Sequence, residues 1–308
     1  LIFYSRSMKE NKNISFYRFI NIESKDLIKE KFSTLCKRLK ILGTLIIANE
    51  GLNGMLAGSS ESIDKVLSEL FDFGIKSEDV KISFSEIKPF NRLRIKLKDE
   101  IISLGNADKS NPNKMVGKYV EPEDWNKVME DKDVILIDTR NHYETSIGTF
   151  NGALVPNINT FKDFPDFVQR MEDKKDKKIA MFCTGGVRCE KASSYMLQVG
   201  FKEVLHLKGG IIKYLENIPE KKSKWEGECF VFDNRVAIEH ELDVGTYIIC
   251  NGCGEPVSKD DVSSDKFKKG IHCPSCFDKL SEDQIKRATE RQKQVELAKK
   301  RGEVHIGE

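Results

Sequence analysis

Apolar residues recur along the first hundred positions of the chain with two different spacings. A short apolar run, or alternation of apolar and polar residues, predicts a strand, whereas apolar residues every three or four positions predict a helix. Residues 50–54 contain two glycines and predict a turn. Strand-like segments lie at residues 14–20, 44–48, 55–57, 80–84 and 92–97, and helix-like segments lie at residues 26–40 and 59–71.

These elements follow one another in the order β-α-β-β-α-β. That order is typical of the ferredoxin-like fold, an α+β architecture. We therefore expect a ferredoxin-like domain over residues 14–110, with a tail at residues 1–13 before it and a polar linker after it. Cys36 lies on the apolar face of the first helix, which predicts a core position rather than a reactive one.

The last strand of this domain carries a cation at every second position. Its apolar residues face one side of the sheet, so its cations share the other side. Four like charges at this spacing repel one another, and a nucleic-acid backbone would relieve that repulsion, although an ordinary solvated face has the same pattern. The candidate RNA contacts are Arg92, Arg94, Lys96 and Lys98.

Strand and helix patterns alternate from about residue 119 to residue 220. Such alternation predicts an α/β domain with a parallel sheet, whose site lies at the carboxyl ends of the strands. Buried strands are predicted at residues 134–138, 179–182 and 204–207, and helices at residues 161–171, 187–199 and 211–215.

One cysteine stands where a buried strand ends and a glycine-containing loop opens into a helix. Cys183 is followed by Gly185 and Gly186 in the loop. Loop N–H groups and the positive end of the helix dipole favour a thiolate at this place, and Arg188 adds a fixed positive charge. We therefore predict that Cys183 is the reactive nucleophile; the alternative is an inert, buried cysteine.

Four further cysteines form two C-x-x-C pairs in the last part of the chain, residues 221–308. Nineteen residues separate the pairs, a spacing at which four thiolates can bind one tetrahedral zinc ion. A structural zinc site is the expectation, and redox pairing or chance is the alternative. A basic helical pattern follows at residues 285–301, either an ordinary solvated helix or an RNA-contacting arm. The predicted zinc ligands are Cys250, Cys253, Cys273 and Cys276.

Composition limits the classes of protein that fit. The chain has 308 residues, of which 39% are apolar and 32% charged, which suits two or three soluble domains. No apolar run is long enough to span a membrane, and residues 1–12 lack the apolar core of a signal peptide. Eight cysteines in such a chain indicate thiol and metal chemistry in the cytoplasm rather than disulfides. The net charge is only +2, so nucleic-acid binding would depend on local patches.

The loop from Cys183 to Arg188 resembles the active-site loop of a rhodanese domain, in which the cysteine carries a persulfide sulfur. Rhodanese-like phosphatases have one more residue between the cysteine and the arginine, so the shorter loop here disfavours a phosphatase. The residues that would form the sulfur-binding loop are Thr184, Gly185, Gly186 and Val187.

The strand that ends at Asp138 and Arg140 also resembles the rhodanese pattern. The resemblance implies that these two residues brace the active loop, a role compatible with a structural ion pair. Where many rhodaneses have Gly-His-Ile, this chain has Gly-Thr-Phe from position 148, and we do not expect the nearby His142 to be catalytic. Cys189 either resolves a persulfide as a disulfide or points into the domain.

Taken together, residues 14–280 resemble the rhodanese-related tRNA uridine(34) hydroxylases. The resemblance implies tRNA as the partner and dioxygen-dependent 5-hydroxylation of the wobble uridine, with dioxygen as co-substrate. The sequence contains no 2-His-1-carboxylate, flavin or haem signature, so none of these cofactors is expected. Two other hypotheses stay open: a sulfurtransferase that passes sulfane sulfur to a small or protein acceptor, and a non-catalytic rhodanese-type binding module. The sequence leaves the oligomeric state open.

Overall fold

The N-terminal part of the chain forms one five-stranded sheet with two helices on one face. The computed structural model describes residues 11–86 and 88–302. The sheet order β4-β1-β3-β2-β5 contains the ferredoxin-like order and adds β5 at the edge, parallel to β2. The elements are β1 (Asn11–Phe19), α1 (Lys25–Arg38), β2 (Leu42–Ala48), β3 (Gly51–Gly58), α2 (Ser60–Asp72), β4 (Val80–Ser85) and β5 (Leu93–Leu97).

The ferredoxin-like prediction is confirmed, with two differences in the strands. β1 begins at Asn11, inside the predicted tail, whereas residues 1–10 of that tail lie outside the described residues. β3 begins at Gly51, so most of the predicted turn at residues 50–54 is strand, because Leu52 is needed in the core beneath the two helices. Cys36 is fully buried in that core, where burial raises the pKa of its thiol to about 11.

The central part of the chain is an α/β domain with a four-stranded parallel sheet in the order β6-β10-β9-β7. This confirms the predicted parallel architecture. The predicted helix at residues 161–171 is a short 3₁₀ turn followed by α5. The elements are β6 (Lys118–Val120), α3 (Pro122–Glu130), β7 (Val134–Asp138), α4 (His142–Thr145), β8 (Gly148–Phe150), α5 (Phe164–Gln169), β9 (Lys178–Phe182), α6 (Val187–Gln198), β10 (Glu203–Leu207) and α7 (Gly210–Asn217).

After residue 220 the chain first packs on the central domain and then forms the cysteine-rich segment. β11 (Trp225–Gly227) pairs with β8, and the Trp225 ring is buried in the core beneath it. The remaining elements are β12 (Cys229–Phe230), β13 (Ala237–Ile238), β14 (Ile248–Ile249), β15 (Pro256–Val257), α8 (Lys259–Val262) and α9 (Glu282–Lys300). Among the described residues, no helix is long and apolar enough to cross a membrane.

A buried lysine joins the N-terminal domain to the central one. Lys191 of α6 is fully buried and pairs with two carboxylates of the N-terminal domain, Glu50 and Glu100. The Nζ–Oε2 distance to Glu50 is 2.9 Å. A buried ammonium needs such partners because burial without them would favour its neutral form. The two domains are therefore fixed beside α6, the helix that the reactive loop opens into.

Candidate active site

Cys183 lies at the carboxyl end of β9, where the chain turns into α6. Gly186 is the N-cap of α6 with φ of 102°, a conformation that favours glycine. Its N–H donates to the Cys183 sulfur over 3.1 Å. The sulfur is completely buried, so the predicted geometry of strand, glycine loop and helix N-terminus is present, and the site is enclosed.

The start of α7 holds the loop from the other side. The N–H groups of Ile211 and Ile212 donate to the carbonyls of Cys183 and Thr184, over 3.0 and 3.1 Å. Gly210 makes this approach possible, because a Cβ at that position would lie 2.5 Å from the Cys183 carbonyl oxygen. The carbonyls of Cys183 and Thr184 are therefore hydrogen-bonded to α7, which leaves loop N–H groups to face the sulfur.

The surroundings of Cys183 favour its anion. Burial, the largest influence, raises the pKa of the thiol. The hydrogen bond from the Cys189 thiol, the charge of Arg188 and backbone N–H groups outweigh it and lower the pKa to about 5. At neutral pH the thiolate is therefore the dominant form, and the thiolate is the nucleophilic form of cysteine.

Cys189 lies against this sulfur inside the domain. Burial and the neighbouring Cys183 raise the pKa of the Cys189 thiol well above its ordinary value. Its sulfur lies 3.7 Å from the Thr139 hydroxyl. Cys189 is therefore a protonated donor to the Cys183 thiolate, and its role in resolving a persulfide stays a prediction.

Glu144 is a site residue that the sequence analysis missed. The carboxylate is fully buried and accepts two hydrogen bonds from the Arg188 guanidinium, both of 2.6 Å. The Thr184 hydroxyl donates to it over 3.2 Å. Burial opposes its charge, but Arg188 lowers the pKa of Glu144 overall. The N-x-x-E capping box from Asn141 was the available signal, although it indicates only a helix start.

Asp138 and Arg140 form a second buried ion pair, one layer away from the loop. The Arg140 guanidinium donates to both carboxylate oxygens of Asp138, over 2.9 and 2.7 Å. It also donates to the backbone carbonyls of Glu144 and Gly148. The pair therefore holds α4, which carries Glu144. Among the described residues, the hydrogen bonds of the pair do not extend to the sulfur-binding loop itself.

The sheet of the N-terminal domain covers the reactive loop. The Lys81 ammonium donates to the Gly185 carbonyl over 2.7 Å. The Tyr17 hydroxyl donates to Glu190 of α6 over 2.8 Å. Both side chains lie on the sheet face opposite the two helices, because their neighbours in sequence, such as Phe16, point into the helix-covered core.

The four cysteines of the C-x-x-C pairs come together in one cluster. Their sulfur atoms all lie within 4.8 Å of one another, with pair distances of 3.7, 3.8 and 3.9 Å. Three of the four are buried and Cys253 is exposed. His272, the residue before Cys273, places Nδ1 2.8 Å from the Lys266 carbonyl. The cluster can hold a metal ion.

The relatives of the chain agree with this architecture. The family described as UPF0176 acylphosphatase like domain matches residues 11–101, and the rhodanese-like domain family matches residues 121–217. A tRNA uridine(34) hydroxylase of Teredinibacter turnerae is 47% identical over 296 residues, which cover 96% of this chain and 92% of that protein. The chain belongs to the tRNA uridine(34) hydroxylase family. The resemblance recognised in the sequence is thereby confirmed.

Solved structures similar to the chain include smaller proteins. A rhodanese-like domain from an Anabaena species is 19% identical, covers 35% of this chain and 78% of its own length, and has a TM-score of 0.29. A Bacillus halodurans protein is 21% identical, covers 41% and 87% of the two chains, and also has a TM-score of 0.29.

In this member of the tRNA uridine(34) hydroxylase family, the basic strand is an exposed sheet edge. The cations alternate with half-buried apolar residues as predicted. In the register of the sheet, Lys96 pairs with Ile46. Ile46 pairs in turn with Asn53, and Asn53 pairs with Tyr17, so these residues form one row across the sheet. The cations of β5 therefore project from the same sheet face as Tyr17 and Lys81. All four, Arg92, Arg94, Lys96 and Lys98, are exposed.

The basic helix α9 of this hydroxylase-family chain is docked rather than fully solvated. Arg291 donates to the carbonyls of Asn251 and Gly270 beside the cysteine cluster, over 2.8 and 2.9 Å. Ala288 and Val295 are buried in the same contact face of the helix. The helix therefore has one packed face, and the contact of its other residues with RNA stays a prediction.

Proposed function

We propose that the chain hydroxylates C5 of the wobble uridine, position 34, of tRNA, with Cys183 as the reactive group. The observation that carries the proposal is the 47% identity to a tRNA uridine(34) hydroxylase over almost the whole chain, combined with an intact cysteine loop. The chain is accordingly a tRNA-modifying oxidoreductase of the rhodanese superfamily.

Cys183 is proposed to act as a thiolate or as a persulfide. Four residues separate it from Arg188, and loop N–H groups face its sulfur, which suits a small anionic sulfur better than a phosphate. Dioxygen is the proposed co-substrate: one of its oxygen atoms is added to C5, and the other leaves as water with two electrons and two protons from a thiol reductant. Asp138 and Arg140 are proposed to act as positioning residues, because they hold the helix that presents Glu144 to Arg188.

The basic strand is proposed to bind the phosphate backbone of tRNA. Its exposed cations lie on the sheet face that also covers the reactive loop, so an RNA strand bound there would lead towards the domain junction. Contacts of this kind position the RNA but read no base. A wobble uridine in a single-stranded loop leaves its stack at little cost, which suits an enclosed thiolate.

The cysteine cluster is proposed to hold a structural zinc ion. Four sulfurs bonded to zinc at about 2.3 Å in a tetrahedron are about 3.8 Å apart. The pair distances of 3.7, 3.8 and 3.9 Å fit that spacing. Zinc would link the two C-x-x-C pairs, and α9 would pack against the linked segment through Arg291.

The proposed compartment is the cytoplasm. A tRNA substrate is consistent with that compartment, and all eight cysteines of the chain are free thiols in the structure. Reduced thiols are the normal state of cytoplasmic cysteines.

The test is a reaction of the purified full chain, in the presence of a thiol reductant, with tRNA that carries an unmodified wobble uridine. Mass spectrometry of the digested tRNA should find the 5-hydroxylated nucleoside only when dioxygen is present, and none with Cys183→Ser. The alternative function, sulfur transfer, is favoured by the rhodanese-type loop alone. A chain that moves sulfane sulfur to a small acceptor but leaves tRNA unchanged would establish that alternative.

A further inference from the structure

The positive charge of Arg188 is already matched by a carboxylate. Glu144 binds it with two hydrogen bonds of 2.6 Å, and both side chains are buried. A buried guanidinium and carboxylate in bidentate contact form a nearly neutral unit. Asp138 and Arg140 form another such unit. Glu144 therefore offsets part of the Arg188 charge that favours the Cys183 thiolate.

Lys81 brings a second cation to the loop from the other domain. Its ammonium donates to the Gly185 carbonyl, two residues from Cys183 in sequence. Within residues 11–86 and 88–302, no carboxylate forms an ion pair with it. The charged groups that face it are Cys183, Lys213, Glu190 and Glu216, and the nearest aromatic ring is Tyr17, with its centroid 5.8 Å away.

The contact between the domains is close at this point. A Cβ on Gly186 would lie 2.8 Å from the Tyr17 hydroxyl, so the loop has no room for a side chain there. Tyr17 donates to Glu190, and Tyr119 also interacts with that carboxylate. The charge of Glu190 acts in the same direction as the Cys183 anion, because both favour the charged form of Lys81.

We propose that Lys81 is a positioning residue that supplies a second positive charge for the Cys183 anion, so that the N-terminal domain completes the reactive site. Burial lowers the pKa of Lys81 to about 8, while the Cys183 anion opposes that change. The ammonium is therefore charged at neutral pH. The inference rests on the proposed function only in taking Cys183 as the reactive group.

The test compares Lys81→Met, Lys81→Arg and a matched control, Lys31→Met, in the full-length chain. Lys31 lies on α1 and pairs with Glu69, on the far side of the sheet from the loop. The ionisation of Cys183 is followed by ultraviolet absorbance of the thiolate, as the difference from the same protein carrying Cys183→Ser. This readout needs no reagent to reach the buried sulfur.

The methionine variant should raise the pKa of Cys183 by about one unit or more, the size expected when a nearby charge is removed. The arginine variant and the Lys31 control should leave it near the wild-type value. Hydroxylation by the methionine variant should fall most at about pH 5–6, between the two pKa values, and recover towards neutral pH, because the thiolate then forms without the ammonium.

An unchanged pKa in a folded Lys81→Met chain would overturn the inference. Equal shifts in the methionine and arginine variants would also overturn it, because the charge would then not be the cause. Neither outcome would contradict the proposed function, which is tested separately by the products that the wild-type chain makes from tRNA.

Discussion

Replacing Glu144 by glutamine tests the electrostatics beneath the reactive loop. The change keeps the shape of the side chain but removes the charge that compensates Arg188. Because the Glu144 carboxylate is fully buried and the guanidinium nearly so, solvent screens the lost interaction very little. Removing one partner of a buried ion pair costs about 3–5 kcal/mol, since it leaves the other charge buried and unpaired.

The loss of stability can be measured for the central domain within the full-length chain. Both tryptophans of the chain, Trp125 and Trp225, are buried in its core, so their fluorescence reports its unfolding in urea. Glu144→Gln should lower the free energy of unfolding by about 3–5 kcal/mol. The control is Glu130→Gln, which removes an exposed partner of Lys224 and should leave the transition nearly unchanged.

A double variant separates the contribution of the ion pair to stability from its effect on the pKa of Cys183. Glu144→Gln combined with Arg188→Met removes both charges, so it should cost less than the sum of the two single changes. Glu144→Gln alone should lower the pKa of Cys183 below about 5, because Arg188 is then uncompensated, whereas the double variant should raise it. A loss below about 1 kcal/mol for Glu144→Gln, or strictly additive losses, would refute the compensated pair.

Three further outcomes are expected. Activity should rise through about pH 5 as Cys183 loses its proton, and Lys81→Met should move this rise to higher pH; a profile without the rise would contradict this. Purified chain should contain about one zinc ion, which Cys253→Ser or a chelator should remove, and a metal-free chain with unaltered folding would contradict the zinc site. Arg94→Gln with Lys96→Gln should weaken tRNA binding, and the slope of log affinity against log salt should flatten by roughly 0.7–0.9 for each phosphate interaction removed, whereas an unchanged slope would identify an ordinary solvated face.

The features that sequence predicted correctly depend on residues close together along the chain. The loop around Cys183 is a local pattern of strand, glycines and helix, and the spacing of the C-x-x-C pairs predicts a cluster of four sulfur atoms like the one in the structure. Strict alternation likewise located the cations of β5 on one exposed side. Each of these patterns spans a single element or a short segment, so periodicity and residue type were sufficient.

The missed residues reach the site from distant parts of the chain. Glu144 lies 44 residues from Arg188, and Lys81 lies 104 residues from Gly185 in a different domain. Their roles depend on how the elements pack, and residue type alone does not distinguish them from surface charges. The enclosure of Cys183 could not be predicted for the same reason. It results from the packing of the N-terminal sheet on the reactive loop, and the sequence indicates that sheet face only as every second residue of each strand.

The most direct test of the central claim is the wobble nucleoside of tRNA in cells. A bacterial strain that lacks its own tRNA uridine(34) hydroxylases is complemented with the wild-type chain, with Cys183→Ser, or with Cys36→Ala, which removes a core thiol from the other domain. Mass spectrometry should find 5-hydroxylated uridine with the wild-type chain and with Cys36→Ala, and none with Cys183→Ser. Equal hydroxylation by the Cys183→Ser chain, at equal protein abundance, would contradict the account.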